Sequence, residues 1–253
     1  MILEIEALNF AYGKEKVLEN INIKAQKGEL ITLIGPNGSG KSTLLKCINN
    51  YLNIGQGKIK VKGKEIAAFS KQELAQIIAY VPQAAEDNLN LNVFETVLMG
   101  RKPYSSWKAE VEDKKITAKV ISRFGLESIA FKNLNDLSGG QKQKVFIARA
   151  AAQQAELILL DEPTNNLDLK HQLEIFNLIR AEIENGKTAI VTMHDLSLVS
   201  RFSDRIIMLK EGCVFSDGSC SSLSAAKINS VYGVEVSLKE HNGKQLVIPE
   251  KVI

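Results

Sequence analysis

Nine consecutive residues, Gly35-Pro36-Asn37-Gly38-Ser39-Gly40-Lys41-Ser42-Thr43, have the types and spacing of a phosphate cradle. Three glycines and an asparagine let successive backbone N–H groups turn toward one centre, and a helix opening behind them would point its positive end there. A nucleotide β-phosphate fits such a loop. Lys41 would reach the β- and γ-phosphates, and the Ser42 hydroxyl would be one ligand of a Mg²⁺ ion. Far along the chain stand two adjacent carboxylates, Asp161 and Glu162. Asp161 would hold Mg²⁺ through its water shell, while Glu162 would orient the attacking water and take its proton.

Four further signals gain meaning from that loop. Gln83 read alone is a turn residue, but its amide oxygen could complete the Mg²⁺ shell and sense the γ-phosphate. Tyr12, upstream of the loop, could stack on an adenine face, or be an ordinary core or surface tyrosine. Ser138-Gly139-Gly140-Gln141 places a hydroxyl and bare N–H groups before a long helical run, which is either a second anion-binding device or a plain helix cap. His194 follows a buried run and is read as a γ-phosphate contact, where a lone histidine would ordinarily be structural.

Each group needs an element to aim it. The apolar runs Leu30–Ile34, Leu157–Leu160 and Ala189–Met193 read as buried parallel strands that deliver the loop, the carboxylate pair and His194 at their C-terminal ends. Ile78–Val81 is a further strand, ended by Pro82-Gln83. Residues 1 to about 26 read as paired strands, the first alternating like an edge strand, with Tyr12 in a turn. Lys58–Gly63 alternates like a half-exposed strand. Ser70 with Glu73, and Asn92 with Glu95, are capping boxes. Ile116, Val120 and Phe124 mark a helix ending near Gly125, and Leu169, Leu173, Phe176, Ile179 and Ile183 mark another, opened by Asp168. Trp107 reads as partly exposed, His171 and His241 as surface or packing residues, and Lys142 and Lys144 as a solvated helix face. A strand pair around Lys210-Glu211-Gly212 precedes a Ser-rich linker and a small hairpin turning at Asn242-Gly243.

The 253 residues, 45% hydrophobic and 24% charged, fit a soluble globular protein, and a net charge of +3 does not argue for nucleic acid. The acidic N-terminus lacks the pattern of a cleaved leader. No apolar run reaches the roughly 18 residues of a membrane span, so a membrane role would need a crossing partner. Cys47, Cys213 and Cys220 lack metal-ligand spacing and read as buried or incidental thiols of a reducing compartment.

Taken in order, these strings closely resemble the ATP-binding subunit of ATP-binding-cassette (ABC) transporters over almost the whole chain. The resemblance assigns Walker A to 35–43, the Q-loop to Gln83, the signature to 137–141 and Walker B to 157–161 with catalytic Glu162. It assigns the D-loop to Asn165-Asn166-Leu167-Asp168 and the H-loop to His194. Gln72-Glu73-Leu74-Ala75, Ala79–Gln83, Val97–Arg101 with Pro103-Tyr104, Leu169–Glu174 and Val231–Val234 narrow it to iron-chelate, haem and cobalamin importers. Lys142 and Lys144 stand where arginine is frequent, Cys213 where a basic residue is common, and Lys62 where an acid is; none touches the ATP chemistry.

The resemblance implies an α/β fold, a P-loop NTPase core with a mixed, mainly parallel sheet, an N-terminal antiparallel β part and an inserted helical subdomain. One cassette domain is expected, with core 1–84 and 157–228, helical part 85–156 and hairpin tail 229–253. Its cofactors would be ATP and Mg²⁺. Its partners would be a second copy, packed head to tail so that Ser138, Gly139 and Gly140 cover the other copy's nucleotide, two integral membrane permease subunits, and indirectly an extracytoplasmic substrate-binding protein. It would lie on the inner face of the cell membrane. The alternative is a soluble cassette ATPase of assembly, repair or translation, which the single unit without a coiled coil disfavours.

Overall fold

The computed structural model describes residues 1–83, 90–104, 109–241 and 244–252. In chain order the elements are β1 Leu3–Tyr12, β2 Glu15–Ala25, β3 Leu30–Ile34, α1 Lys41–Ile48, β4 Gln56–Val61, β5 Lys64–Glu65, α2 Lys71–Ile77, β6 Ile78–Val81, α3 Val93–Leu98, α4 Val111–Arg123, α5 Gly139–Ala152, β7 Leu157–Asp161 and α6 Leu169–Glu184. They continue as β8 Thr188–Thr192, α7 Leu196–Phe202, β9 Arg205–Lys210, β10 Cys213–Ser219, α8 Ala225–Tyr232, β11 Val234–His241 and β12 Lys244–Val252. The chain forms two units, Met1–Ala68 with Thr188–Ile253, and Phe69–Lys187. Trp107 and the Asn242-Gly243 turn lie outside the described residues.

The first unit holds an antiparallel sheet, β2-β1-β4-β5. The N-terminal strand is therefore not at an edge, as its alternation suggested. Its acids are matched by lysines from both neighbours. Glu4 pairs with Lys24 of β2 at 3.0 Å, and Glu6 with Lys60 of β4 at 3.2 Å, so the polar face closes across strands. The same unit contains β3 between β8 and β9, parallel to both, with β10 antiparallel to β9. All five residues of β3 and of β8 are buried, the continuous apolar run expected of strands covered on both faces. Two helices escaped sequence reading. Helix α7 is capped by Asp195, which accepts from the N–H groups of Ser197 and Leu198. Helix α8 lies past the Ser-rich stretch, capped by Ser224 and ended by Gly233 in the left-handed conformation at φ 68°; its apolar face is only Ile228 and Val231, too little to show as a period.

The second unit pairs β6 and β7 in parallel and carries α2 to α6. Both expected capping boxes form, Ser70 with Glu73 and Asn92 with Glu95. Leu169 departs from its expected stripe and is exposed, whereas Ile175, Phe176, Ile179 and Ile183 are buried: a first-turn residue lies beside the cap, off the packed face. Lys142 and Lys144 are half-buried rather than solvated. Lys144 reaches Glu174 of α6 at 3.5 Å, spending its stem on the inter-helix contact.

The segment Val97–Tyr104 acquires a physical explanation. A Cβ on Gly100 would lie 2.2 Å from the Arg149 carbonyl oxygen, so only glycine permits this approach to α5. Arg101 is buried; it donates to Asp113 Oδ1 at 3.0 Å, the Ala152 carbonyl at 2.9 Å and Gln154 Oε1 at 2.8 Å, and its guanidinium stacks 4.1 Å from the Tyr104 ring centre. Gln72 and Gln76 of α2 both donate to the Pro103 carbonyl, at 3.0 and 2.8 Å. Burial alone would raise the Asp113 carboxyl, but the Glu110 N–H and the Arg101 guanidinium together hold it below the carboxylate range. Removing one partner of a buried pair costs roughly 3 to 5 kcal/mol, and this pair, just beneath the surface, belongs at the lower end. Arg101→Met is expected to lower unfolding free energy by about 3 kcal/mol, read as a reduced midpoint in urea unfolding.

Candidate functional site

The phosphate loop leaves β3 at Gly35 and enters α1 at Gly40. Gly35 has φ 150° and packs so tightly that a Cβ would meet the Leu209 carbonyl oxygen at 2.2 Å and Ser39 Oγ at 2.7 Å. Gly40 has φ 98°, and its Cβ would lie 2.6 Å from a Leu18 methyl. Both positions demand glycine, once for conformation and once for space. Asn37 and Gly38 are exposed at the tip, and Ser39 N–H donates to the Pro36 carbonyl at 3.2 Å. Lys41 is buried and curls back over the loop, donating to the carbonyls of Gly35 and Pro36 at 2.9 and 3.0 Å. Ser42 and Thr43 are half-buried in the first helical turn.

This loop suits a phosphate. The cap residue Gly40 has no side chain to satisfy the first N–H groups of α1, which have no partner within the helix. Ser39 Oγ is buried and makes no hydrogen bond among the described residues, an orphan that a ligand oxygen would satisfy. Strands β3 and β8 run parallel with Leu33 opposite Thr192, so His194, exposed two residues past β8, emerges at the edge from which the loop departs. Met193 N–H donates to the Leu33 carbonyl at 3.1 Å and fixes that exit. Tyr12 ends β1 rather than standing in a turn; it is 48% exposed and meets Phe10 edge-on at 4.9 Å. An exposed face is what base stacking requires.

In the second unit the carboxylate pair ends β7. Asp161 is buried, with the Tyr80 hydroxyl donating to its Oδ2 at 3.4 Å. Glu162 has φ 49°, a left-handed conformation rare for a residue with a side chain, costing on the order of 1–3 kcal/mol that the surroundings must sustain. Its Oε2 accepts from Gln83 Nε2 at 2.6 Å and from Asn165 Nδ2 at 3.1 Å. Gln83 therefore presents its amide nitrogen to Glu162, where sequence reading considered only its oxygen. Tyr80 was read merely as part of a strand and Asn165 as part of a motif; strand alternation and the three-residue spacing from Glu162 were the available signals.

Ser138 behaves as the plain cap that was one of its two readings: Ser138 Oγ accepts from Gln141 N–H at 3.4 Å, and Gln141 Oε1 accepts from Ser138 N–H at 3.1 Å. This arrangement leaves Gly139 exposed at the start of a 14-residue helix. Gly140 is buried, and a Cβ there would lie 2.5 Å from the His171 ring. His171 is thus a packing residue beneath the exposed glycine turn, held by Asp168, which accepts from its N–H at 2.8 Å and contacts Nδ1 at 2.8 Å.

The His171 N–H, and then its ring, hold the Asp168 carboxyl below its ordinary value of 3.8. A depressed carboxyl contributes stability that is complete above the unfolded value and disappears as pH falls through the folded one. Asp168→Asn is therefore expected to lower the melting temperature at pH 7, and the difference from the parent is expected to close below pH 3.8. Melting curves across pH 2 to 7 check this.

Among the described residues no group of three or more His, Cys, Asp or Glu could hold a metal ion, and no helix is long and apolar enough to cross a membrane. The Ser42 hydroxyl in the first unit and the Asp161 carboxylate in the second are each a hard oxygen donor of the type Mg²⁺ prefers.

Comparisons with known proteins show the family of the chain. The family model for ABC transporters matches residues 18–165. An uncharacterized ABC transporter ATP-binding protein of Methanocaldococcus jannaschii is 44% identical over 98% of this chain and 98% of its own length. The petrobactin import ATP-binding protein of Bacillus subtilis is 35% identical over 97% of this chain and 98% of its own. A solved structure described as an ABC transporter of the metal-chelate type, inward-facing, superposes with a TM-score of 0.86 at 27% identity, covering 100% of this chain and 98% of that one. A dimeric ATP-binding cassette bound to ADP and Pi in a post-hydrolysis state superposes with a TM-score of 0.75 at 32% identity, covering 87% and 99%. The chain belongs to the ABC transporter family and is one of its ATPase cassettes.

Proposed function

We propose that this cassette powers import of an iron chelate, haem or related metal complex through separate membrane subunits. The observation that carries this reading is the 35% identity, over 97% of this chain and 98% of the relative, with the petrobactin import ATP-binding protein of Bacillus subtilis. The residues Gly100, Arg101 and Pro103, singled out in the sequence for the same importer group, support it as the joints that tie α2, α4 and α5.

Within the cassette, Lys41 and the N–H groups of residues 38–42 hold the β- and γ-phosphates of ATP, and Tyr12 stacks on the base. Ser42 and Asp161, with Gln83, would hold Mg²⁺, which when bound supplies positive charge against the phosphate oxygens. Glu162 orients the attacking water and accepts its proton. Gln83 and Asn165, both donating to Oε2, hold the carboxylate in place for that transfer. His194 contacts the γ-phosphate. The exposed turn Ser138-Gly139-Gly140-Gln141 of a second copy closes over the nucleotide, as a head-to-tail dimer requires, and two permease subunits bear the transmembrane path. An extracytoplasmic binding protein delivers the substrate, and the cassette is peripheral on the inner membrane face.

The test is to tag Glu162→Gln, extract membranes gently with ATP and Mg²⁺, and identify the co-purifying integral membrane protein. A many-helix permease is expected, whose reconstituted vesicles take up ferric hydroxamate or haem only with ATP. Recovery from the soluble fraction with ribosomal, DNA-repair or cluster-assembly proteins would overturn the importer reading and leave the ATPase intact.

A further inference from the structure

The strand that ends at Tyr12 is tied to the phosphate loop through its neighbour. Phe10 stands opposite Leu18 in the β1–β2 pair, so the two side chains share one face of the sheet, and Tyr12, two residues on, shares it with them. That face meets the loop. Leu18 is buried, and one of its methyls lies 2.6 Å from where a Cβ on Gly40 would stand. The register then shifts by one, Ala11 pairing with Lys16, which leaves Val17 as the extra residue of β2. The Val17 carbonyl oxygen lies 3.0 Å from the Cβ position of Gly40 and 2.4 Å from that of Gly212, and Glu19 N–H donates to the Gly212 carbonyl at 2.9 Å. Residues 17–19 are thus clamped between the loop and the β9–β10 turn, and what their face carries stands at a fixed reach from the cradle.

Tyr12 stands beyond that clamp. It ends β1 beside Gly13, which has φ 60°, and is 48% exposed. An exposed ring that must lie flat on a base loses rotamer freedom on binding, and the loss subtracts from the stack. The half-buried Phe10 ring meets Tyr12 with 4.9 Å between ring centres and 86° between planes, an edge-to-face contact that aromatic pairs favour and that covers at most one face of the Tyr12 ring. We infer that Phe10 is a positioning residue for nucleotide binding: its ring holds Tyr12 ready for the base, and its place opposite Leu18 fixes that platform relative to the loop at 35–43. The inference rests on reading Tyr12 as the residue that stacks on the base, and its test separates the two.

Titrating the full-length protein with MgATP, and with Mg²⁺ and tripolyphosphate, which has the phosphates without the base, isolates the base contact. Tyr12→Ala is expected to bind ATP about tenfold more weakly and tripolyphosphate as the parent does. Phe10→Leu is expected to lose about two- to tenfold in ATP affinity, again with tripolyphosphate unchanged. Added to Tyr12→Ala, it should change ATP affinity by less than about twofold, because its effect passes through the Tyr12 ring. Phe10→Tyr keeps a ring at the site and should restore parental affinity. A merely structural phenylalanine would weaken both ligands alike, or cost as much in the Tyr12→Ala background as in the parent; either result overturns the inference. Parental ATP affinity in Phe10→Leu, beside a loss confined to ATP in Tyr12→Ala, also overturns it and leaves the stacking residue standing. Parental ATP affinity in Tyr12→Ala removes the stacking reading itself, and the inference with it.

Discussion

Glu162→Gln is expected to bind ATP with near-parental affinity and to hydrolyse it roughly 10² to 10⁴ times more slowly, about 3 to 5 kcal/mol of barrier. Glutamine has the size and polarity of the carboxylate but cannot accept the water's proton. The substitution is also well suited to the backbone: Glu162 holds φ 49°, and glutamine bears the same conformational cost, so the turn after β7 need not relax. The partners are less well served. Gln83 and Asn165 both donate to Oε2, and an amide can meet two donors only through its single oxygen. Single-turnover hydrolysis beside equilibrium ATP binding checks both halves. Turnover within tenfold of the parent would remove Glu162 from the role of base.

Lys41→Ala should fail earlier, at binding. The ammonium is buried inside the loop on two carbonyls of that same loop, so its charge is held at the cradle rather than free to wander in solvent. Charge-assisted hydrogen bonds contribute roughly 1.5–3 kcal/mol each, which places the expected loss of ATP affinity near 100-fold, about 2.7 kcal/mol. Titration of Mg²⁺ and ATP into the Glu162→Gln background measures it without interference from turnover. Lys41→Met, which retains most of the buried stem, should lose the same affinity while melting near the parent temperature. An affinity within threefold of the parent for both variants would exclude Lys41 from the cradle.

What the sequence determined by itself was whatever depends on neighbours along the chain. The runs Leu30–Ile34 and Leu157–Leu160, the capping boxes at Ser70 and Asn92, and the loop at 35–43 all appear where their local pattern places them, because burial of a strand, capping of a helix and the conformational freedom of glycine are decided within a few residues. Asp168 as a helix cap was legible for the same reason.

The tertiary structure decided what depends on residues distant in sequence. Alternation in β1 could not reveal that Lys24 and Lys60 flank its acids and move it off the edge. Spacing could not show that Gln83 meets Glu162 across 79 residues or that His171 supports Gly140 from below. Local patterns encode which face of an element is apolar; which partner covers that face is chosen by packing between elements, whose energy is shared among side chains that no window of sequence contains.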